Sequence, residues 1–298
     1  MKTTAIAAVA LLALTPALFA QRATIGIGEV KVNPSVQQAA AAASKALSVQ
    51  RVAESMDSLL IDKFNGTRKF EIIARSDLAD VFTDQAFQNS GNVDANDPRT
   101  AQQFQIKGVQ YIVVTTISDF QDVTETAHFT GLGEGGVRRT IRFVASVKLY
   151  DTTKGSLLES ATVNVRKRMA RELQQHIQAD GDLNEALITE IATELSDRVT
   201  NRVVDVIYPA KIIARTDKQV TINRGDGTGI ERGQVWDVYA LGEELIDPDT
   251  GEKLGSEEVK VGTVRVTDVT PKFSRAEVVE DTGVDTGAVV RFTPPAED

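Results

Sequence analysis

The pattern of hydrophobic and polar positions divides the chain into a first part that alternates strands with helices and a second part of short strands. The most apolar strand pattern is Tyr111–Ser118, where β-branched residues run without a polar face. Such a strand is usually covered on both sides, so we predict that it is the central strand of a layered sheet. We expect a polar loop from Asp119 onward.

The segments before this strand predict a strand–helix–strand–helix–strand order. The two preceding strands cover residues 24–32 and Phe70–Ala74. Between them, apolar residues recur at three- and four-residue steps from 36 to 64, which is the pattern of one long amphipathic helix. A helix capped by Ser76–Asp77 and a short helix over 99–107 lead into the central strand.

A hairpin and a long helix follow the central strand. Apolar and polar residues alternate over 141–149, which predicts a half-buried strand, and 157–165 is its hairpin partner. Asp182 and Glu185 have the spacing of a capping box and predict the start of a helix. Tyr208–Pro209 ends this helix, and we place the domain boundary there.

From Ala210 onward, short strand patterns separated by glycine turns predict a small barrel-like domain. The fold class is therefore an α+β (α/β) N-terminal domain, with a mixed sheet packed by long helices, followed by a small all-β barrel-like domain. The predicted strands of the second domain are 211–215, 219–223, 234–240, 259–269, 274–279 and 288–292. The predicted units are a signal peptide (1–20), the α/β domain (22–208), the β-domain (210–293) and a tail (294–298).

The N-terminus has the pattern of a secretory signal peptide. Lys2 supplies a positive charge, residues 5–14 are apolar, and the small residue Ala20 precedes a cleavage position. The apolar run is shorter than the ~20 residues that span a bilayer, so we expect export and cleavage rather than anchoring. The chain has no cysteine and therefore no disulfide or lipid-modified cysteine. We predict a periplasmic protein, with outer-membrane association as an open alternative.

Composition and charge argue against several classes of function. The 298 residues are 42% hydrophobic and 25% charged, which is typical of a globular protein. The formal net charge of −9 argues against general nucleic-acid binding, which needs a basic surface. His128 and His176 have neither metal-site nor catalytic spacing, and no Gly-x-Ser-x-Gly elbow is present. We predict no enzyme activity, catalytic residue, metal or cofactor, with a hydrolase as the remote alternative.

Two further motifs have ordinary structural interpretations. Gly131–Gly136 has the letters of a dinucleotide-binding loop but precedes a strand instead of a helix, so we interpret it as a flexible loop or hairpin tip. Asp247–Glu252 carries several oxygen ligands but lacks the flanking helices and glutamate spacing of an EF-hand. Its composition is typical of a turn, and cation binding stays open.

Six residues are candidates for contact with a partner. Arg166, Lys167, Arg168 and Arg171 form the one dense basic patch of the sequence. This patch could meet anionic lipid headgroups or an acidic partner, and a solvated strand end is the alternative. The aromatic residues Trp236 and Tyr239 could anchor a partner or pack in the core.

Several phrases of the first domain resemble the CsgG family of bacterial envelope proteins. The resemblance covers about residues 22–207 and implies a fold similar to the N-terminal domain of TolB, a mixed sheet with helices packed on it. The matching phrases are Phe70–Arg75 followed by Leu78, Gly108–Ile117, and Val147–Asp151 with a turn that ends at Gly155.

The second domain resembles the C-terminal domain of the flagellar assembly protein FlgT in Val220–Gly225, Gly233–Tyr239 and Asp247–Gly255. Together the resemblances imply a non-enzymatic periplasmic adaptor that binds other envelope proteins, alone or as a homo-oligomer. The alternative is a subunit of an oligomeric outer-membrane curli-type secretion channel, with membrane hairpins from residues 119–140 and 166–182. The dense charges of the second segment oppose that alternative.

Overall fold

The computed structural model describes residues 22–73, 108–128, 135–172, 183–249, 251 and 253–292. These ranges contain helices α1 (Pro34–Ala42), α2 (Ala46–Gly66) and α3 (Glu185–Ile207). The strands are β1 (Ala23–Ile27), β2 (Lys31–Val32), β3 (Phe70–Ile73), β4 (Tyr111–His128), β5 (Gly135–Asp151), β6 (Ser156–Glu172), β7 (Ile212–Thr216), β8 (Gln219–Ile222), β9 (Val235–Ile246), β10 (Lys253–Val269), β11 (Ser274–Asp281) and β12 (Val289–Phe292). The signal segment, the two helices predicted between Ser76 and 107, and the tail lie outside the described residues.

A mixed sheet forms the centre of the first part of the chain, as predicted. Its strand order is β3–β1–β4–β5–β6, and β2 also pairs with β4. Strand β1 is parallel to β3 and β4, whereas β4, β5 and β6 form an antiparallel meander. The predicted central strand lies in β4, at the middle position of this sheet.

Helices α2 and α3 pack on each other and on one face of this sheet, and their apolar stripes fill a single hydrophobic core. The sheet contributes alternate residues of β5 to this core, as the half-buried pattern predicts. The N-cap of α3 is Asn184, two residues after the predicted Asp182, and its side chain accepts a hydrogen bond from the backbone N–H of Leu187. The buried residues of β5 on this face are Ile141, Phe143, Ala145, Val147 and Leu149.

The prediction of a single helix over 36–64 is wrong, because the helix is broken into α1 and α2. Ser44 has a φ of 57°, a left-handed conformation that a continuous right-handed helix excludes. After the break, the side chain of Lys45 is buried and is 8% exposed. The first predicted strand is likewise divided, into β1 and β2.

The prediction of a polar loop from Asp119 onward is also wrong, because strand β4 continues through this segment to His128. A register shift between Ile117 and Asp119 inserts one extra residue into β4 opposite β5. Since side chains alternate along a strand, this bulge moves the inward-facing positions from odd to even residue numbers. Phe120 consequently packs against Phe143, with the ring centroids 4.7 Å apart.

Asp122 lies at the centre of a buried ionic cluster next to the break between α1 and α2. Its carboxylate accepts hydrogen bonds from Nε and Nη2 of Arg139 at 2.7 and 2.5 Å. It also lies 3.8 Å from Nζ of Lys45, and the side chains of Lys45 and Asp122 are each 8% exposed. Two cations therefore converge on one buried carboxylate, which offsets the cost of removing their charges from water.

Asp122→Ala is expected to lower the free energy of unfolding by about 3 kcal/mol, because the variant buries two cations without this carboxylate. Urea denaturation followed by circular dichroism measures the change. The control is Asp119→Ala on the same strand. Asp119 is 42% exposed and lies 3.8 Å from Arg142, so we expect a loss below about 1 kcal/mol. Equal losses in the two variants would contradict the prediction.

The second part of the chain is built on an antiparallel sheet with the order β12–β9–β10–β11–β8–β7. The barrel-like prediction needs one correction. Within the described residues, the two ends of the sheet meet over residues 210–212 and 287–290, at a bridge between Lys211 and Val289 and through three backbone hydrogen bonds. This contact is too short to form a paired ladder between β7 and β12, so the sheet does not close into a barrel. Strands β9 and β10 are also longer than predicted, and their paired ends, from Leu241 to Glu258, project as an exposed hairpin.

Arg224 joins the two parts of the chain. It follows β8, its side chain is 1% exposed, and its Nη2 contacts Oδ1 of Asp205 on α3. Lys69 donates a hydrogen bond from Nζ to the carbonyl of Asn223 at 2.9 Å. Burial lowers the pKa of Lys69, and the charge of Arg224 lowers it further. The half-buried Lys69 and the buried Arg224 thus lie close together at this contact, and Asp205 provides the opposing charge.

Asp205→Ala is expected to reduce the free energy of unfolding by about 3 kcal/mol, since the guanidinium of Arg224 stays buried without its carboxylate. Thermal unfolding followed by calorimetry would record the loss. Asp197→Ala on the same helix serves as the control. Asp205 and Asp197 are both exposed, at 56% and 44%, but Lys63, the partner of Asp197, is 30% exposed whereas Arg224 is 1% exposed. The pair of Asp197 with Lys63 therefore contributes less than about 1 kcal/mol. A loss at Asp197 as large as that at Asp205 would refute this account of Arg224.

Candidate partner-binding surfaces

The outer face of strands β5 and β6 carries four arginines. Arg142 stands directly opposite Arg166, while Arg138 and Arg168 lie further along the same face of the two strands. The neighbouring residues Ile141 and Phe143 point the other way, into the core. We call Arg138, Arg142, Arg166 and Arg168 the arginine face.

Only part of the charge of the arginine face is compensated, by Asp119 near Arg142 and by Glu125, which stands opposite Arg138 on β4. Like charges that stand opposite each other on neighbouring strands repel, as Arg142 and Arg166 do. Arg142 has one nearby carboxylate, that of Asp119 at 3.8 Å. In the described part of the chain, Arg138, Arg166 and Arg168 form no ion pair. Carboxylate or phosphate oxygens of a partner would therefore find unused donors here.

Lys167 and Arg171 of the predicted basic patch do not share this position. Nζ of Lys167 points to the helix side and lies 2.8 Å from Glu190 and 2.7 Å from Glu194, both on α3. Burial lowers the pKa of Lys167, but the hydrogen bonds to these glutamates outweigh it, and the pKa is raised. Lys167 thus fixes β6 to α3. Arg171 pairs through its backbone with Val137, and its side chain lies outside the description.

The contact between Lys167 and Glu194 predicts a pH dependence of stability. Burial raises the pKa of Glu194, but hydrogen bonds from Lys167 and Arg198 outweigh burial and lower it below 4.5. The stabilisation is therefore complete above pH 4.5 and is lost as the pH falls through the lower folded-state pKa. Glu194→Gln should cost about 0.5–1 kcal/mol at pH 7, and this difference should shrink below pH 4.5.

Urea unfolding of both proteins at pH 7, 5 and 4 measures this difference in the free energy of unfolding. Glu231→Gln is the control, because Glu231 is exposed and its side chain forms no ion pair with another described residue. A difference for Glu194→Gln that stays constant down to pH 4 or grows there would contradict the assigned direction of the pKa.

Trp236 and Tyr239 both lie on β9, in different surroundings. Trp236 is 5% exposed, donates from Nε1 to Oε1 of Gln234 at 3.0 Å, and packs against Phe292 with ring centroids 5.9 Å apart. Tyr239 is half-buried beneath Arg291, whose guanidinium lies 5.2 Å from the ring centre. Trp236 therefore belongs to the core of the second part, and Tyr239 lies nearer the surface.

A groove of about 650 Å³ separates the end of α3 from the second sheet. Arg202 and Val206 of α3 form one wall, and Leu241 and Phe292 belong to the other, with Trp236 also lining the groove. The sequence did not indicate this groove, because its walls come from segments that are far apart along the chain.

The remaining sequence motifs contribute turns and strand ends. In the turn at the tip of the β9–β10 hairpin, Gly251 N donates to the carbonyl of Asp247 and Asp249 N to its Oδ1, each at 2.8 Å. Gly135 and Gly136 open β5, and the rest of the glycine loop lies outside the described residues. His128 ends β4, and His176 also lies outside the description.

No group of three or more His, Asp or Glu side chains in the described ranges could hold a metal ion. None of the helices in the same ranges is both long and apolar enough to cross a membrane.

Sequence reasoning found Arg166 and Arg168 of the arginine face but missed Arg138 and Arg142. The alternation over 141–149 contained part of the signal, because Arg142 occupies one of its polar positions. The pairing of Arg142 with Arg166 requires the register between β5 and β6, which a single sequence does not provide.

The comparison with family models identifies the first part of the chain. The model described as curli production assembly/transport component CsgG matches residues 12–181. A search of curated proteins gave no match. The family match does not reach the second part of the chain, so its resemblance to FlgT stays a prediction.

Solved structures that match include the hypothetical protein CT253 from Chlamydia trachomatis, at 10% identity and a TM-score of 0.39, over 63% of this chain and 99% of that chain. The lipoprotein GNA1162 from Neisseria meningitidis matches at 14% identity and a TM-score of 0.29, over 60% of this chain and 99% of that chain. TolB from Acinetobacter baumannii matches at 11% identity and a TM-score of 0.31, over 89% of this chain and 62% of that chain.

Proposed function

Because the chain belongs to the family of the curli production assembly/transport component CsgG, we propose that it is a non-enzymatic assembly or adaptor component of the bacterial cell envelope. It acts in the periplasm, to which its N-terminal segment directs it, and it binds other envelope proteins. The observation that carries this proposal is the arginine face on strands β5 and β6.

The arginine face supports a binding role through its charge and its rigidity. It gathers four cations on a chain whose formal net charge is −9, so an acidic partner is attracted to this surface and repelled elsewhere. The arginines stand on paired strands of the central sheet, which fixes the spacing of their Cα atoms. Guanidinium groups donate paired hydrogen bonds to carboxylates, which favours an acidic protein surface as the partner.

The same residues support binding rather than catalysis. Arginine stays protonated in proteins, so it neither accepts a proton nor acts as a nucleophile. A surface of four arginines can hold an anionic group, but it supplies no general base for a reaction.

The test is site-specific photo-crosslinking in cells from Asn164, which is exposed on the outer face beside Arg166. We expect discrete adducts with envelope proteins, and we expect Arg166→Glu with Arg168→Glu to reduce them at least tenfold, because the new charges repel an acidic partner. The matched control is Lys218→Glu with Arg232→Glu, which changes the net charge equally at exposed positions of the second part.

Two outcomes would contradict the proposal. Adducts that are equally strong in the arginine-face variant and the control would show that this face is not the contact. A complete lack of adducts from Asn164, with the folded protein present in the periplasm, would show that this surface meets no envelope protein.

The long strands favour a second candidate function, a subunit of an oligomeric outer-membrane secretion channel. Strands β4, β5 and β6 have 17 or 18 residues each, more than the ~9–11 that cross a bilayer. The arginine face opposes this function, because an arginine exposed to lipid at the bilayer centre costs about 2–4 kcal/mol. Large detergent-resistant rings in the outer-membrane fraction would favour the channel, and small soluble species would exclude it.

A further inference from the structure

The β9–β10 hairpin exposes an unpaired strand edge. Strand β12 pairs with one edge of β9 only from Trp236 to Tyr239. Among the described residues, no strand continues along this edge from Ala240 to Ile246, although the opposite edge is paired with β10. Backbone N–H and C=O groups on a free edge can pair with another extended strand. The free segment is as long as an ordinary strand of about five or six residues.

The side chains around this edge are apolar and exposed. Leu241, Leu245 and Ile246 on β9 are 43%, 49% and 55% exposed, and Val259 on β10 is 52% exposed. An added strand would cover some of these side chains, so that both the backbone edge and the apolar surface favour the same kind of occupant.

The hairpin is also strongly acidic. Residues 241–259 contain seven acidic residues and one lysine, which gives six of the nine net negative charges of the chain. Glu244 is paired with Lys253, and Glu258 with Arg291. Glu243 and Glu257 are exposed and form no ion pair with any described residue. These two carboxylates therefore favour a strand with positively charged side chains along the free edge of β9.

We propose that this edge binds an extended peptide segment of a partner, in which apolar and basic residues alternate, as an additional strand on β9. The register shift in β9 between Leu241 and Glu244 places Leu241 on one face of the hairpin and Glu257 on the other. The apolar side chains of the peptide cover Leu241, and its basic side chains meet Glu243 and Glu257. A second copy of the hairpin fits less well. Antiparallel pairing of 240–246 with itself places Glu243 opposite Glu243, and like charges in that position repel.

The groove beside α3 extends this binding surface. Leu241 lies both on the free edge and in the groove, and Val289, where β12 begins, also lines the groove. A peptide strand on the free edge is therefore in line with β12, and its end enters the groove towards Val206. Trp236 lines the same groove and is the single tryptophan of the chain, so its fluorescence reports on occupancy.

This inference deepens the proposed function and rests on it, because an adaptor needs a second surface for a second partner. The two tests can fail separately. Peptide binding is measured on the purified protein, whereas contact through the arginine face is measured in cells. The arginine-face variant should bind the peptide with unchanged affinity.

The probe is the peptide Val-Lys-Val-Lys-Val-Lys-Val with both ends blocked, titrated into the full chain while Trp236 fluorescence and the heat of binding are recorded. We expect saturable binding that weakens with added salt. Glu243→Lys with Glu257→Lys should weaken it at least tenfold. Glu277→Lys with Glu280→Lys, on β11, makes the same charge change at exposed positions of the same sheet and should leave the affinity within twofold.

A second peptide, Val-Lys-Pro-Lys-Pro-Lys-Val, carries the same charge but cannot pair along the edge, because proline lacks the N–H group. We expect no saturable binding of this peptide. Equal binding of the two peptides, or unchanged affinity in the hairpin variant with an unchanged circular dichroism spectrum, would overturn the proposal. A dimer in sedimentation experiments that the hairpin variant abolishes would also overturn it, because a second copy would then be the occupant.

Discussion

The alternation of side chains across the paired strands β4, β5 and β6 is the constraint on which the rest of the molecule depends. One face of this ladder is buried beneath α2 and α3, so each inward apolar residue fixes an outward neighbour. Phe143 in the core places Arg142 outside, and Val165 places Arg166 outside. A slip of one residue would bury the arginine face in the hydrophobic core. The packing of the core therefore specifies the surface that we assign to partner binding.

The sequence was sufficient to predict a helix or strand where a periodic hydrophobic pattern coincided with burial, as in the central strand and in the apolar stripe of α3. It was insufficient where long-range contacts chose the local structure. The alanine-rich segment before Ser44 has high helix propensity and no glycine or proline, so nothing local marks the break. The break coincides with burial of Lys45 beside Asp122, which belongs to a strand about eighty residues later. The polar residues after Asp119 form a strand because β5 pairs with them.

The candidate surfaces were predictable only in part, for a related reason. A run of basic residues looks like one patch in the sequence, but a strand sends Arg166 and Lys167 to opposite faces. The complete arginine face then depends on the register with Arg142. Within the projecting hairpin the sequence pattern predicts only a turn, since the residues around that turn are acidic and exposed and lack the apolar alternation that identifies a half-buried strand.

The contact of the buried Arg224 side chain with Asp205 has a consequence for how the two proposed partners would be held. Gly229 adds to this joint, because its φ of 77° favours glycine and a Cβ at that position would lie 2.5 Å from Nδ2 of Asn201, whose side chain would have to move. A flexible linker between binding modules would only raise the local concentration of one partner near the other. A tightly packed joint instead fixes the distance and the angle between the two partners. The protein would then set the spacing of the components in the assembly.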